Sequence, residues 1–303
     1  MEIRTDLAME RAGALQEHGD LPKGISVRQE TRHGTRATVV KITSRAGETA
    51  LGKPKGTYVT VELGGVLRRE KESFQSAVEC ISEYLREMLG LSAKLPVLVA
   101  GLGNREVTPD AVGPLTADHV LVTRHMVEQV PETFGTFRPV SATVPGVLGT
   151  TGVESAETVR ALAERIGAAA VIAVDALAAR DTGRLCSTVQ LSDCGIAPGS
   201  GIGNCRSALD QRSIGCPVIA LGVPTVTDAA TMASDLFQRA GMHVEEETLR
   251  NVSTGMIVTS GDIDRRVREI ARVLDMTVSA VERTVSRAKA RLREALEGLG
   301  VEV

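Results

Sequence analysis

Three short runs of apolar residues alternate along the chain with longer segments whose apolar residues recur at helical spacing. The runs cover 96–101, 170–175 and 216–221, and the helical spacing covers 71–90, 111–129 and 155–167. Short continuous apolar runs predict strands that are buried on both faces, as in a parallel sheet covered by helices. We therefore expect a three-layer α/β fold with a doubly wound, mostly parallel sheet.

The first half of the chain predicts an addition to this sheet. Residues 37–42 and 58–63 are rich in β-branched side chains and flank a loop with Gly and Lys, which predicts a β-hairpin. The first thirty-five residues are polar and rich in Gly, and indicate a loosely held leader. Several Gly and Pro residues over 133–153 predict a long loop, a kind of segment that often has a function.

Composition narrows the classes of function. The net charge of −3 argues neither for nor against a nucleic-acid partner. Aromatic residues make up 2% of the chain, so stacking on nucleic-acid bases is not favoured. The N-terminus lacks the apolar core of a secretion signal, and no apolar run reaches the ~20 residues that span a bilayer. We expect a cytoplasmic protein without a membrane partner. The five cysteines show neither C-x-x-C nor zinc-ligand spacing, which favours a role as small apolar residues.

Two aspartates follow predicted strands. Asp175 ends the run 170–175, and Asp110 comes after the run 96–101 and a Gly-rich turn. Ligands bind beyond the carboxyl ends of parallel strands, so both side chains are expected in one crevice. Two close carboxylates share a proton, and such a pair can activate water and protonate a leaving amine, as amide hydrolysis requires. The alternative is that each aspartate caps a helix.

Glycine-rich turns supply further candidates. The turn at Gly101 lacks the third glycine of a dinucleotide-binding fingerprint, because position 106 is Glu, and the loop 198–204 lacks the Gly-Lys-Ser/Thr of a P-loop. We expect no nucleotide cofactor, and expect these turns to line the crevice. The candidates for crevice-lining or substrate-binding residues are Gly103, Asn104, Gly199, Ser200, Gly201 and Asn204.

The remaining polar residues carry weaker signals. His119 and His125 are six residues apart, which is not the spacing that places two imidazoles on one helix face, so we expect no metal site there. Asp181 and Asp193 are second-rank candidates that can also serve as caps of loops.

Several stretches resemble the germination protease family of endospore-forming bacteria. They are RTDLAME at 4–10, GLGN at 101–104, TPDAVGP at 108–114, VDALAAR at 174–180, DCGI at 193–196 and PGSGIGNCR at 198–206. The stretches occur in order and span most of the chain. The resemblance implies a fold similar to that of hydrogenase maturation endopeptidases, and catalytic aspartates that match Asp110 and Asp175.

The resemblance also implies how the protein is made and what it cuts. Family members are tetrameric zymogens that remove a short leader by self-cleavage and degrade small acid-soluble spore proteins. They cut after an acidic residue that is followed by a large apolar residue and Ala. Asp6-Leu7-Ala8 has this form, so we expect residues 1–6 to be a propeptide, Asp6–Leu7 the processing bond, and 7–303 a single peptidase domain in the spore interior.

The resemblance fades toward the C-terminus. Residues 251–264 are similar to a late segment of the family, whereas 267–283 resemble a helix-turn-helix. The end of this stretch and the residues after it contain five basic side chains, Arg283, Arg287, Lys289, Arg291 and Arg293. Residues 261–303 carry nine basic and eight acidic residues, a small excess for DNA binding, so we favour helices packed on the sheet. Three alternatives remain at this point: a metal-dependent peptidase that uses the same aspartates, a DNA-binding regulator, and a catalytically silent scaffold.

Overall fold

The computed structural model describes residues 4–17, 19–90, 94–203, 206–242, 244, 248–249, 251 and 255–280. Within these residues, nine strands form one mixed sheet. The strands are β1 Ile25–Arg32, β2 Thr35–Ile42, β3 Gly56–Glu62, β4 Val97–Gly101, β5 Val140–Thr143, β6 Ala170–Ala178, β7 Thr188–Ser192, β8 Val218–Asp228 and β9 Ile257–Thr259.

The sheet has a parallel core and an antiparallel extension. Its order is β1-β2-β3-β7-β8-β6-β4-β5, and β9 pairs with β8. β8, β6, β4 and β5 run parallel, whereas β1, β2, β3, β7 and β9 pair antiparallel with their neighbours. The three apolar runs of the sequence form β4, β6 and β8, so the predicted parallel core is confirmed.

Helices cover both faces of the sheet. They are α1 Ala8–Glu17, α2 Arg45–Leu51, α3 Gly64–Leu67, α4 Ser73–Leu89, α5 Val112–His119, α6 Arg124–Gln129, α7 Pro131–Phe134, α8 Leu148–Thr151, α9 Ser155–Ile166, α10 Gln211–Ile214, α11 Ala229–Arg239 and α12 Ile263–Ala280. α4, α5 and α12 share one apolar core with the sheet, and α9 and α10 share another. The doubly wound, three-layer prediction is therefore confirmed. No helix in the described part of the chain is long and apolar enough to cross a membrane.

The N-terminal residues are more ordered than predicted. α1 buries Ala8 and Ala12 against a small core with β1, β2 and β3, and β1 pairs with β2 along its full length. The prediction of a loosely held leader over the first thirty-five residues was wrong for this part. The contacts of α1 with the sheet rely on small alanine side chains, which give a weak hydrophobic signal in the sequence.

The predicted hairpin is present, with two additions. β2 and β3 pair antiparallel, as expected, but α2 lies between them. β7 then pairs with β3 and joins the hairpin to the parallel core. β7 is a strand that was not predicted; it is five residues long and has a polar residue, Gln190, at its centre.

The predicted helix over 111–129 is broken into α5 and α6. Between them, the Thr123 N–H donates to the Val140 carbonyl at 3.0 Å, and the Thr123 hydroxyl accepts from the Val140 N–H at 3.0 Å. These bonds tie the chain to the start of β5, so the helix does not continue. The predicted loop 133–153 accordingly contains β5 and α8.

The C-terminal segment packs on the core as far as the structure describes it. α12 buries Val267, Ile270, Leu274 and Val278 in the same apolar core as α4 and α5. The second half of the helix-turn-helix resemblance, with the basic residues from Arg283 onward, lies outside the described residues.

Two of the cysteines in the described part are buried as small apolar residues, whereas the Cys194 thiol donates to the Lys55 carbonyl at 3.2 Å. Cys80 and Cys186 are buried, and burial raises the pKa of each thiol to about 12, so both stay protonated at neutral pH. Cys194 and Cys216 are partly buried, and burial raises their thiol pKa values as well. Cys205 lies outside the described residues.

Gly113 sets the distance between α5 and the sheet. A Cβ at this position would collide with the carbonyl oxygens of Leu102 and Val174, which are backbone atoms that cannot rotate away. We expect Gly113→Ala to lower the free energy of unfolding by about 3 kcal/mol, measured by urea denaturation. Gly13→Ala is the control, because no atom lies within 4 Å of a Cβ there and alanine favours a helix. Equal stability of the two variants would contradict the packing described.

Candidate active site

Asp175 lies in the interior of β6 and is almost inaccessible. It is in register with Gly222 of β8, and it follows Val174, which pairs with the last residue of β4. The strand continues to Ala178, so the prediction that Asp175 ends the strand was wrong; the residue lies instead just beyond the end of the neighbouring β4. Its side chain is 3% exposed.

Burial dominates the electrostatics of Asp175. It raises the pKa of the carboxyl well above the ordinary value, and the negative charges of Asp110 and Asp6 raise it further, whereas the Ala176 N–H opposes the shift. Asp175 therefore keeps its proton at a pH where an exposed aspartate is ionised.

Asp110 is placed by the turn that follows β4. It is the last residue of a short 3₁₀ helix, Thr108–Asp110, and its carboxylate accepts the Asn104 N–H at 2.7 Å. Gly103 has a φ of 111°, and a Cβ there would overlap the Asp110 carbonyl oxygen. Glycine is required at this close approach. Burial raises the pKa of Asp110, and the hydrogen bond from Asn104 opposes the rise.

Neither aspartate acts as a helix cap. Asp175 is inside a strand, and the N-cap of α5 is Ala111, with no side-chain capping bond. The two carboxylates instead line one cavity of about 500 Å³, together with Asp6. The structure thus places Asp110 and Asp175 at one cavity.

The glycine-rich loop after Pro198 closes over the same region. Gly199 adopts the left-handed conformation, with a φ of 73°, and opens a 3₁₀ turn over Ser200–Ile202. The Ser200 hydroxyl donates to Asp6 Oδ1 at 2.6 Å. Gly199 also lines the cavity that holds the aspartates, as do Gly103 and Asn104. Asn204, the last candidate of this loop, lies outside the described residues.

The predicted processing bond lies beside the cavity and is buried. Asp6 is 6% exposed and Leu7 is fully buried. The Asp6 carboxylate accepts the Ala178 N–H at 2.9 Å, and the Asp6 N–H donates to the Ala178 carbonyl at 2.9 Å. The segment is thus bound to the end of β6, the strand that carries Asp175.

Gln190 holds the main chain on both sides of Leu7. Its Nε2 donates to the Asp6 carbonyl at 3.0 Å, and its Oε1 accepts the Ala8 N–H at 2.7 Å. Gln190 was not among the predicted site residues. Only its place between Val189 and Leu191 could have indicated a buried amide, which requires hydrogen-bond partners.

Glu10 anchors the segment from its C-terminal side. Its carboxylate accepts the N–H groups of Arg180 and Asp181 at 2.8 and 3.0 Å, accepts the Thr5 hydroxyl, and pairs with Arg184. Burial raises the pKa of Glu10, and these partners oppose the rise. The bonds fix residues 4–10 against the loop that follows β6.

The second-rank candidates have local structural contacts. The Asp181 carboxylate accepts the Gly183 N–H at 2.9 Å, and the Asp193 carboxylate accepts the Thr57 N–H at 2.7 Å. His119 and His125 are not among the residues that line the cavity. Within the described residues, no group of three or more His, Cys, Asp or Glu side chains has a geometry that could hold a metal ion.

Comparison with known proteins connects this site to a family. The sequence model of the germination protease family, Peptidase_A25, matches residues 2–254. A germination protease of Caldanaerobacter subterraneus subsp. tengcongensis is 39% identical over 303 aligned residues, which cover 91% of this chain and 93% of that protein. A germination protease of Bacillus pumilus is 41% identical over 271 aligned residues, covering 86% and 73%.

A solved structure gives a weaker likeness. The [NiFe] hydrogenase maturation protease HycI of Thermococcus kodakarensis aligns with 65% of this chain and 99% of its own, at 15% identity and a TM-score of 0.32. At that score the likeness carries no argument about the site. The sequence matches show the family, because the family model spans most of the chain and the first relative aligns over nearly all of both proteins. The chain belongs to the germination protease family and is an endopeptidase.

Proposed function

We propose that this endopeptidase is of the aspartic type, and that Asp110 and Asp175 share one proton and activate a water molecule. The observation that carries the proposal is that both carboxylates line one cavity with Asp6, which precedes the predicted processing bond. A pair of carboxylates in a partly dry site provides both an acid and a base at one pH.

The surroundings of the two aspartates favour different roles. Asp175 is the more deeply buried, and the charge of Asp110 further favours its protonated form. Asp110 is only partly buried, and the Asn104 N–H stabilises its ionised form. Asp110 is therefore the base and Asp175 the acid.

In the proposed reaction, a water molecule bound between the carboxylates attacks the carbonyl carbon of the peptide bond. Asp110 takes one proton from the water, while the Asp175 proton moves toward the carbonyl oxygen and neutralises the charge that develops there. The C–N bond then breaks as Asp110 gives its proton to the leaving nitrogen, and Asp175 takes a proton back from a hydroxyl group of the tetrahedral intermediate as the carboxyl group of the product forms. One acid and one amine are formed, and the pair again holds a single proton.

The proposed substrates are small acid-soluble spore proteins, cut during germination after an acidic residue and before a large apolar residue and Ala. The proposed first reaction is removal of residues 1–6 at Asp6–Leu7, which leaves 7–303 as the active form. The enclosed Asp6 carboxylate and the fully buried Leu7 support this choice of bond. The spore interior as location and a homotetramer as assembly are part of the same proposal.

Replacement of either aspartate tests the site. We expect Asp110→Asn and Asp175→Asn each to slow the loss of residues 1–6 by at least about 10²-fold, because an amide cannot exchange the shared proton. Intact-mass analysis of the full chain during incubation at mildly acidic pH measures the loss.

The control for this experiment is Asp118→Asn, the same substitution at a partly exposed aspartate paired with Arg105. We expect this variant to keep the wild-type rate. Processing of Asp110→Asn or Asp175→Asn at the wild-type rate would contradict the proposed roles.

The pH dependence follows from the two pKa shifts. Asp110 must be ionised, and burial raises its pKa, so kcat/KM should rise with pH through a value higher than the pKa of an ordinary aspartate. Asp175 must be protonated, and its pKa is higher still, so kcat/KM should fall again as that proton is lost. Peptide hydrolysis measured over the pH range should give a bell-shaped profile. A profile without a limb on the alkaline side would count against a protonated Asp175.

The metal-dependent alternative makes a different prediction. Within the described residues, no three or more His, Cys, Asp or Glu side chains lie close enough together to hold a metal ion. The side chains present therefore do not fit a resident ion. We expect hydrolysis of peptides to continue at an unchanged rate after exhaustive chelation. Loss of activity that returns on addition of a divalent cation would favour the metal-dependent reaction instead.

A further inference from the structure

The Asp6 carboxylate occupies a pocket that fits its shape and its charge. The pocket consists of the Ala178 N–H, the Ser200 hydroxyl and the backbone of Gly201, and is called the carboxylate pocket below. The N–H donates to Oδ2 at 2.9 Å, and the hydroxyl donates to Oδ1 at 2.6 Å. A Cβ on Gly201 would overlap Oδ2, so the loop approaches the carboxylate as closely as a glycine allows. Each oxygen thus has its own donor.

A partly buried cation lies on one side of this pocket. Lys53 lines a cavity of about 170 Å³ together with Asp6 and Ser200, and its Nζ lies 5.6 Å from the centre of the Tyr58 ring. Burial lowers the pKa of Lys53 to about 8, while the charge of Asp6 opposes the shift. A negative side chain in the pocket therefore stabilises the charge of Lys53, and a neutral one does not.

The segment that contains Asp6 is held by hydrogen bonds to its main chain, which depend little on its side chains. Gln190 binds the main chain at Asp6 and Ala8, which any peptide offers. Gln190 and Asp175 are in register with the same residue, Gly222, so their side chains share one face of the sheet. With one strand between them, their Cα atoms are roughly 10 Å apart. A peptide bound by Gln190 therefore lies beside the proposed catalytic pair.

We propose that the carboxylate pocket is the subsite for the acidic side chain of the substrate, with Ser200 and Gly201 as its specificity-determining residues. The inference rests on the proposed function, in which residues 1–6 leave after cleavage at Asp6–Leu7. Their departure empties the pocket and frees the Gln190 Nε2 from the Asp6 carbonyl. An incoming peptide takes the place of both groups.

The chemistry of the pocket selects a carboxylate over an amide. A carboxylate accepts from the Ala178 N–H and the Ser200 hydroxyl at once and offsets the charge of Lys53. An asparagine side chain has one acceptor oxygen and carries no charge, so it loses the charge-assisted bond and the balance with Lys53.

The first experiment compares two peptides that differ in one side chain. Both have the form of residues 4–10 of this chain, one with Asp and the other with Asn before the Leu-Ala pair. The enzyme is prepared from the full chain after it has lost residues 1–6. We expect Ser200→Ala to lower kcat/KM about tenfold for the Asp peptide and much less for the Asn peptide. Gly201→Ala, which fills the pocket, should lower kcat/KM for the Asp peptide at least as much.

The matched control is Ser26→Ala, which removes a hydroxyl from an exposed residue of β1 that lines neither cavity. We expect the ratio of the two kcat/KM values to stay at its wild-type value. Equal losses for both peptides in Ser200→Ala would overturn the proposal, because a structural defect affects both substrates alike.

The second experiment needs no peptidase activity. Asp6→Ala in the full chain empties the carboxylate pocket, and acetate is the probe. We expect acetate at about ten times its Kd to raise the Tm of Asp6→Ala by about 2–4 °C, and acetamide to have no such effect. The double variant Asp6→Ala/Ser200→Ala should show a smaller shift with acetate.

The two experiments separate this inference from the proposed function. If neither peptide is cut but acetate stabilises Asp6→Ala selectively, the endopeptidase mechanism fails and the carboxylate pocket stands. If both peptides are cut at equal rates, or acetate and acetamide act alike on Asp6→Ala, the pocket does not recognise an acidic side chain.

Discussion

The close approach of α5 to the parallel sheet is the constraint on which the site depends. Gly101, Gly103 and Gly113 all lie where a Cβ would overlap backbone atoms of the neighbouring element. Because these residues have no side chains, the turn after β4 can pack closely against β6. This packing places Asp110 at the cavity that Asp175 also lines. A carboxyl as deeply buried as Asp175 is costly to ionise, so the same approach that excludes water from β6 also keeps a proton there.

This arrangement gives two chemically identical side chains different properties without any special ligand. Asp175 pairs with β8 and lies just beyond the last paired residue of β4, where it is almost fully buried, whereas Asp110 is partly buried in a turn and receives an N–H from Asn104. The difference in burial is the main cause, and the charge of Asp110 and the Asn104 N–H add to it. The N-terminal segment adds a third carboxylate, Asp6, whose charge has its own donors in Ala178 and Ser200.

The parallel core and the aspartate pair could be predicted from the sequence because their signals are local. β4, β6 and β8 are continuous apolar runs. Asp175 is the last residue of the run that predicted β6, and Asp110 follows the end of the run that predicted β4. The N-terminal helix and β7 could not be predicted in the same way. α1 packs through alanines, and β7 is five residues long with Gln190 at its centre, so neither has a clear apolar period. The contacts of Gln190 with Asp6 and Ala8 join residues that are more than 180 positions apart, and no local pattern specifies them.

The two hydrogen bonds of Gln190 have a thermodynamic consequence for the proposed self-cleavage. The Gln190 side chain binds the main chain on both sides of the bond to be cleaved. Glu10 binds the loop after β6 and so holds the residues that follow this bond. Immediately after hydrolysis, the new carboxyl and amino ends would still be neighbours, in an arrangement from which the amide can re-form. Dissociation of the hexapeptide, and not rupture of the amide, would then be the committed step of maturation.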